Sequence, residues 1–318
     1  MTPSYFLYRF KYRFGRSLPL RKPVDIALEL SSACNMKCSY CYHAEDKKDL
    51  SWKPRLMDRK IASRILYDAA QLKVPSVKFN WRGESTLNPN FSLITGLAKR
   101  LSEVHKGAFI DRISNTNMQF DSDREDIFQG LKNLTKVKVS FDSFNPIIFN
   151  KQREKGDWYT VRKNIDTFYD MPGRKTKIVI QAIRTKLNHD EKFEYLMQRY
   201  WPSAELSVRD VVEGRNEKDL TDIAIKKRDI NNRQACFQAF TRLIFNSQGT
   251  ATICCPDIHE RLYLDNIGKR TVEEIFNCSK AKAIRKMLKK GTAFECVDTC
   301  KNCSSFESYK GYKPNWDS

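Results

Sequence analysis

The sequence predicts an α/β chain: a partial (β/α)6 TIM-like barrel with a small C-terminal α+β domain. Three observations predict it. From Val24 to about residue 212, short runs of alternating hydrophobicity take turns with amphipathic helical stretches. A polar, charged segment at 213–230 then breaks the rhythm. After it, hairpin and helix-capping signals replace the alternation. The implied organisation is an arm at 1–22, the barrel at 23–212, a linker at 213–230 and the C-terminal domain at 231–318.

Residues 24–30 alternate with period two and read as the first strand. Asp58 is placed to cap a helix whose apolar residues are Ile61, Ile65, Leu66, Ala69 and Leu72. The second strand is expected at 77–81 and the third at 109–114, with Asp121 capping a helix that runs to Leu131. Residues 136–141 form the fourth strand. A helix at about 159–169 stops at Met171-Pro172-Gly173, ahead of the fifth strand at 177–183. A helix around 191–200 leads to the sixth at 206–212. Further on, 241–245 and 250–254 flank Asn246-Ser247-Gln248-Gly249, a hairpin turn. Thr271-Val272-Glu273-Glu274 has the form of a capping box. Ser279 is set to cap a helix to Lys290, and Gly291 is its stop.

Hydrophobic residues make up 41% of the chain, enough for a true core. No stretch approaches the roughly 20 apolar residues that span a bilayer, and no signal-peptide pattern opens the sequence. A cytoplasmic protein is expected. The net charge is +19, which favours acidic partners: nucleic acid, an acidic sugar or nucleotide-linked metabolite, or a membrane surface. Equally, the charges can solvate helix faces, because they are spread along the chain. The densest patch interleaves Arg9, Lys11, Arg13, Arg16, Arg21 and Lys22 with Phe10, Tyr12 and Phe14. It suits an anionic surface or single-stranded nucleic acid. The preferred reading is an arm that packs its aromatics on its own domain and leaves its charges in water.

Ten cysteines are many for a compartment where disulfides are rare, which points to metal ligation or redox chemistry. They form two sets, Cys34, Cys38 and Cys41, then Cys236, Cys254, Cys255, Cys278, Cys296, Cys300 and Cys303, so two sites are expected. Cys34-x3-Cys38-x2-Cys41 directly follows the first strand. Three thiolates on one tight loop can hold three irons of a four-iron cluster and leave the fourth open. A zinc site completed by His43 is the alternative.

The segment Cys34-Asn35-Met36-Lys37-Cys38-Ser39-Tyr40-Cys41 resembles the signature loop of the radical S-adenosylmethionine (SAM) superfamily, including aromatic Tyr40 before the last cysteine. Trp81-Arg82-Gly83-Glu84 stands where that family has a Gly-Gly-Glu motif holding the SAM amino group, which implies this role for Glu84. Arg82 replaces the first glycine. Ser114-Asn115-Thr116-Asn117 matches a Thr-Asn-Gly segment near the ribose and implies Asn117, with Met118 in the glycine's place. Val139-Ser140-Phe141-Asp142 resembles a Ser-Leu-Asp element whose serine lies close to SAM, which implies Ser140. Arg153 stands where a downstream arginine reaches the carboxylate or substrate. All sit at expected carboxyl ends of strands, the face where parallel barrels build their sites. The resemblance implies SAM, a SAM-binding 4Fe–4S cluster, and a reductant such as flavodoxin or ferredoxin. It also implies reductive cleavage of SAM to a 5′-deoxyadenosyl radical that takes a hydrogen atom from the substrate.

From Cys236 onward the sequence resembles the SPASM or twitch auxiliary-cluster domain in its hairpin, its Cys254-Cys255-Pro256-Asp257 element, its capped helix and its closing cysteine pair. That implies Cys236, Cys254, Cys300 and Cys303 as ligands of an auxiliary 4Fe–4S cluster, with Cys255 able to replace Cys254. Cys255, Cys278 and Cys296 are otherwise expected to be small buried hydrophobes. A saturated cluster cannot bind substrate, so an oxidoreductase is expected, by dehydrogenation or crosslink formation. An epimerase with Cys255 as catalytic hydrogen-atom donor is the alternative. Asp142, Glu213 or Asp257 can serve as a general base. A zinc protein that binds nucleic acid is the non-enzymatic alternative, and it leaves the Glu84 and Ser140 motifs unexplained. With the first strand near residue 24, little chain precedes the barrel, so a small acidic substrate is expected ahead of a leader-bearing peptide.

Overall fold

A computed structural model describes residues 3–41, 53–211, 220–226, 236–301 and 303. The arm begins as helix α1 (Pro3–Phe14), an element the charge pattern alone did not announce. β1 (Asp25–Leu28) leads into the cysteine loop, where Lys37–Cys38 forms the short β2. α2 (Arg59–Gln71) starts where expected, the Asp58 carboxylate accepting from the Lys60 N–H at 2.7 Å. Its residues Ala62, Ile65, Leu66, Ala69 and Ala70 recur at helical spacing and are buried. The alternation continues through β3 (Ser76–Lys78), α3 (Phe91–Val104), β4 (Asp111–Thr116), α4 (Glu125–Lys132) and β5 (Lys136–Ser140). It runs on through α5 (Pro146–Gln152), β6 (Arg153–Glu154), α6 (Trp158–Tyr169), β7 (Lys177–Arg184), α7 (Phe193–Tyr200) and β8 (Glu205–Asp210). The C-terminal part adds α8 (Gln238–Thr241), β9 (Arg242–Phe245) and β10 (Ala251–Thr252). Four short helices follow: α9 (Val272–Phe276), α10 (Ser279–Lys290), α11 (Ala293–Cys296) and α12 (Asp298–Lys301).

The six parallel strands expected of the partial barrel are present. β1, β3, β4, β5, β7 and β8 lie side by side, each parallel to the next. β9 extends this sheet beyond β1, also in parallel, with Asp25 opposite Arg242 and Leu28 opposite Phe245. β10 pairs antiparallel with β9 and completes the expected hairpin. Gly249 makes that turn possible: it has φ +78°, and a Cβ there would come within 2.7 Å of Ile267. The C-terminal segment is thus stitched to the barrel by its own strand, and one hydrophobic cluster runs through both. In it Ile65 and Ala69 of α2 share the core with Val272 and Ile275 of α9.

Two helix starts differ from expectation. α4 begins at Glu125, because the Asp121 carbonyl is held in a turn by the Arg124 N–H at 3.0 Å. α10 is capped by Cys278 and not by Ser279, the sulfur accepting from the Ala281 N–H at 3.4 Å. The Thr271–Glu274 capping box and the left-handed Gly291 stop form as read. In the stretch read as a linker, the described residues 220–226 bury Leu220 and Ala224 beside Val211, with Tyr40 and Ile183 against them. Among the described residues, no helix is long and apolar enough to cross a membrane.

Strand alternation sets the chemistry of the barrel's two faces. Val137 and Val139 of β5 go into the core under the helices, and Lys138 and Ser140 point the other way, into the barrel. By register, Asp25 and Lys78 share that inward face.

Candidate active site

The cysteine loop is held from three sides. Cys34, Cys38 and Cys41 are all partly buried, and the Cys41 N–H donates to the Cys38 carbonyl at 2.8 Å. Burial, then the nearby Glu84 carboxylate and the other two thiols, push the Cys34 thiol up to about 12. β2 pairs with β6, setting Cys38 opposite Arg153, whose guanidinium donates to the Cys38 sulfur at 3.5 Å. The third support is Gly83. A Cβ there would lie 2.2 Å from the Ala33 carbonyl oxygen and 2.5 Å from that of Ser31. Only glycine lets this loop stack directly on the backbone that leads into Cys34. The Glu84 N–H then donates to the Ala33 carbonyl at 2.8 Å.

Of the expected SAM contacts, Glu84, Asn117, Tyr40 and Arg153 gather around this loop. The buried Glu84 carboxylate accepts from the Asn117 N–H at 2.7 Å and from the Thr86 hydroxyl at 2.9 Å. Burial pushes its carboxyl up, against these hydrogen bonds. The Asn117 amide donates to the Asn35 side chain at 2.7 Å, joining the end of β4 to the cysteine loop. Met118 holds φ +56°, the left-handed geometry for which glycine is the usual residue. It is fully buried, and its carbonyl accepts from Asn164 at 2.9 Å. Ser140, on the inward face of β5, is partly exposed. The Tyr40 hydroxyl donates to Asp142, which also accepts from the Ile183 N–H at 2.8 Å and ion-pairs with Arg153 at 2.9 Å. Although burial works against it, Asp142 keeps the Arg153 guanidinium more firmly charged than usual.

Sequence reasoning missed the role of Arg82. In place of a motif glycine it makes a fork to Glu29, Nε to Oε1 at 2.6 Å and Nη2 to Oε2 at 2.8 Å. It also reaches Glu260 at 2.7 Å and the Ile258 carbonyl at 2.9 Å, and lies 4.2 Å from the Trp81 ring centroid. The signal was in the first strand. Asp25 and Glu29 share one face of 24–30, and a buried carboxylate needs a cation. Arg242 meets Asp25, and Arg82 meets Glu29.

Cys236, Cys254, Cys300 and Cys303 line one pocket, together with apolar Ile253, Leu262, Ile284 and Leu288. Burial pushes the Cys236 thiol up to about 11, and that of Cys254 well above its usual range. Four thiols facing a shared pocket fit a polynuclear cluster. Among the described residues, no three His, Cys, Asp or Glu side chains meet as a single-ion site. Cys255 stands outside this pocket, exposed. Cys296 is also exposed, which corrects the expectation that Cys255 and Cys296 are buried hydrophobes, whereas Cys278 is partly buried and packs against the core. Asp257 accepts from the Arg261 and Leu262 N–H groups, each at 2.9 Å, and from Thr252 at 3.1 Å, so it organises the turn after Cys255. His43 and Glu213 lie outside the described residues.

Residues 236–304 match SPASM, an iron–sulfur cluster-binding domain. Most of the chain is similar in fold to solved structures. BtrN in complex with AdoMet and 2-DOIA is 20% identical, with TM-score 0.58, covering 88% of this chain and 92% of that one. Native anSMEcpe with bound AdoMet is 17% identical, with TM-score 0.60, covering 85% and 87%. SuiB of Streptococcus suis, bound to precursor peptide SuiA, is 15% identical, with TM-score 0.65, covering 88% and 70%. No curated protein matches by sequence. At these identities the likeness shows the fold alone, and the SPASM segment carries the iron–sulfur assignment. Both agree with the resemblance read from the cysteine loop and the C-terminal cysteines.

Proposed function

We propose that the chain is a radical SAM oxidoreductase. The observation that carries this reading is the packing of the Gly83–Glu84 loop on the backbone entering Cys34, with Asn117 bridging the same loop. These groups come from the carboxyl ends of β1, β3 and β4, where a parallel barrel collects its ligands. Cys34, Cys38 and Cys41 would hold one 4Fe–4S cluster, and Cys236, Cys254, Cys300 and Cys303 the other. When bound, SAM and the reduced first cluster supply a 5′-deoxyadenosyl radical that takes a hydrogen atom from the substrate. Glu84 would accept a hydrogen bond from the SAM amino group and Asn117 and Ser140 would border its nucleoside, while Tyr40 and Arg153 hold the loop through Asp142. Four thiolates leave no cluster position for substrate, which favours electron removal, hence dehydrogenation or crosslinking.

The inward face favours an acidic substrate. Lys138 projects there below Ser140 with no hydrogen-bond or ion-pair partner among the described residues. Burial and the neighbouring Lys78 and Arg209 push it down to about 7. An acidic sugar or nucleotide-linked metabolite would add an anion to the weak pull of Asp111, and a peptide carboxylate would too. Peptide ligands occur among the fold relatives, as SuiA does with SuiB. A ferredoxin or flavodoxin in a reducing cytoplasm is the fitting electron donor. The exposed Cys255, beside Trp81, supports the second reading, an epimerase that returns a hydrogen atom.

Anaerobic reconstitution tests the proposal. About eight irons and eight sulfides per chain are expected, with 5′-deoxyadenosine released on reduction with SAM. Stoichiometric zinc without SAM cleavage would instead favour the zinc-binding, nucleic-acid-binding reading.

A further inference from the structure

The arm at the N-terminus is used on both faces, and the site above uses neither. On one side α1 is pinned to the barrel. Tyr8 is buried, and the Tyr12 hydroxyl accepts from Arg242 at 2.7 Å while its ring meets Phe237 edge-on at 5.2 Å. Gly15 seats the end of the helix so closely that a Cβ would lie 2.2 Å from Thr241. This side bears out the expectation that the arm packs aromatics on its own domain.

The opposite side does not fit that expectation. Phe6, Phe10 and Phe14 form an i, i+4, i+8 row with Leu7 beside it. They are exposed by 55%, 38%, 46% and 51% in that order, and the Phe10 and Phe14 rings lie 4.8 Å apart. On helical geometry, Arg9 and Arg13 flank the row on one edge and Lys11 on the other. α1 carries no acidic residue at all, and Arg16 adds a cation just beyond it. An apolar row between cationic edges is the pattern of a helix that lies in a membrane interface. Ordinary surface helices place charge, not four large apolar side chains, on their outer face.

We propose that α1 is a membrane-docking helix that seats this protein on an anionic lipid surface. The tyrosine face stays on the barrel, the phenylalanine row enters the headgroup–acyl boundary, and the flanking cations meet lipid phosphates. Such docking would bring the enzyme to a membrane-associated substrate without a membrane span.

The test is co-sedimentation of the full-length, anaerobically reconstituted protein with vesicles. Phosphatidylcholine alone is compared with phosphatidylcholine containing phosphatidylglycerol. Pelleting with the anionic vesicles, declining as salt rises, is expected. Replacing Phe6, Phe10 and Phe14 by alanine should lower partitioning about tenfold or more. Lys11→Gln and Arg13→Gln should each lower it by roughly fivefold. All variants should keep wild-type SAM cleavage, which separates loss of docking from misfolding. Absence of pelleting by the wild type would overturn the proposal. So would pelleting that ignores the phenylalanine changes, since that is adhesion by charge alone. A wild-type dimer that the same changes dissolve, without any vesicle binding, would assign the row to self-association instead.

Discussion

The indole Nε1 of Trp81 donates to the backbone carbonyl oxygen of Cys255 at 2.8 Å. The loop that presents Glu84 thereby grips the SPASM segment at the backbone of Cys255, the member of the Cys254–Cys255 pair that lies outside the four-thiol pocket. Cys255 is held through its backbone, so its sulfur can be removed without loosening the contact. Cys255→Ala should therefore keep SAM cleavage, measured as 5′-deoxyadenosine. In an oxidoreductase it should keep substrate turnover as well. Turnover lost while cleavage persists would identify Cys255 as the hydrogen-atom donor of an epimerase.

Arg82 is the second tie between the two sites, and a costly one to break. The Glu29 side chain is fully buried, so removing its partner leaves a charge in a low-dielectric interior. Arg82→Ala should cost about 3–5 kcal/mol in anaerobic denaturant unfolding. Arg82→Lys should recover only part of this, because an ammonium cannot reproduce the two-toothed contact with Glu29. A loss under about 1 kcal/mol in Arg82→Ala would show that water reaches Glu29 and that the clamp is dispensable.

The parts of the fold that the sequence made legible are those decided by local patterning. Period-two strands, the Asp58 cap, the hairpin at Gly249 and the capping box at Thr271 each follow from nearby residues. What stayed hidden depends on partners far along the chain. That β9 would pair with β1 is fixed by Arg242 meeting Asp25, residues from opposite ends of the sequence. Arg82 read as a departure from a glycine motif because its partners, Glu29 and Glu260, are visible only once the strands assemble. The same holds for Met118, whose left-handed backbone is held by burial and by Asn164, not by freedom of its own.

Gly83→Ala should act on one site and spare the other. The added methyl would press on the carbonyl oxygens of Ala33 and Ser31, backbone atoms with no side-chain rotamer to yield. The loop entering Cys34 must then shift, with the Glu84-to-Ala33 hydrogen bond. Reconstituted Gly83→Ala is expected to lose about half its iron, the SPASM share remaining. Its reduced spectrum should lack the signal that SAM perturbs in wild type. Full iron content with normal SAM cleavage would mean that the loops do not need this contact.

Lys138 gives the barrel's inward face a pH signature whose sign can be worked out. Its folded value lies near 7, pushed down by burial and by Lys78 and Arg209 from the ordinary 10.5. Between these two values the unfolded chain binds a proton that the folded chain does not, so stability rises with pH from about 7 upward. Below 7 both states are protonated and the cost of burying the cation is at its full size. Lys138→Met removes that cost, so it should raise the denaturation midpoint most at pH 6 and progressively less toward pH 10. Lys78, also lowered by burial, keeps a residual slope of the same sign. An anionic substrate seated against Lys138 should reverse the trend, since it favours the ammonium form. Its binding should weaken as pH rises past neutrality in wild type and be both weaker and flatter in Lys138→Met. An unchanged midpoint profile in the variant would place the Lys138 ammonium in water and remove the case for an anion-seeking barrel.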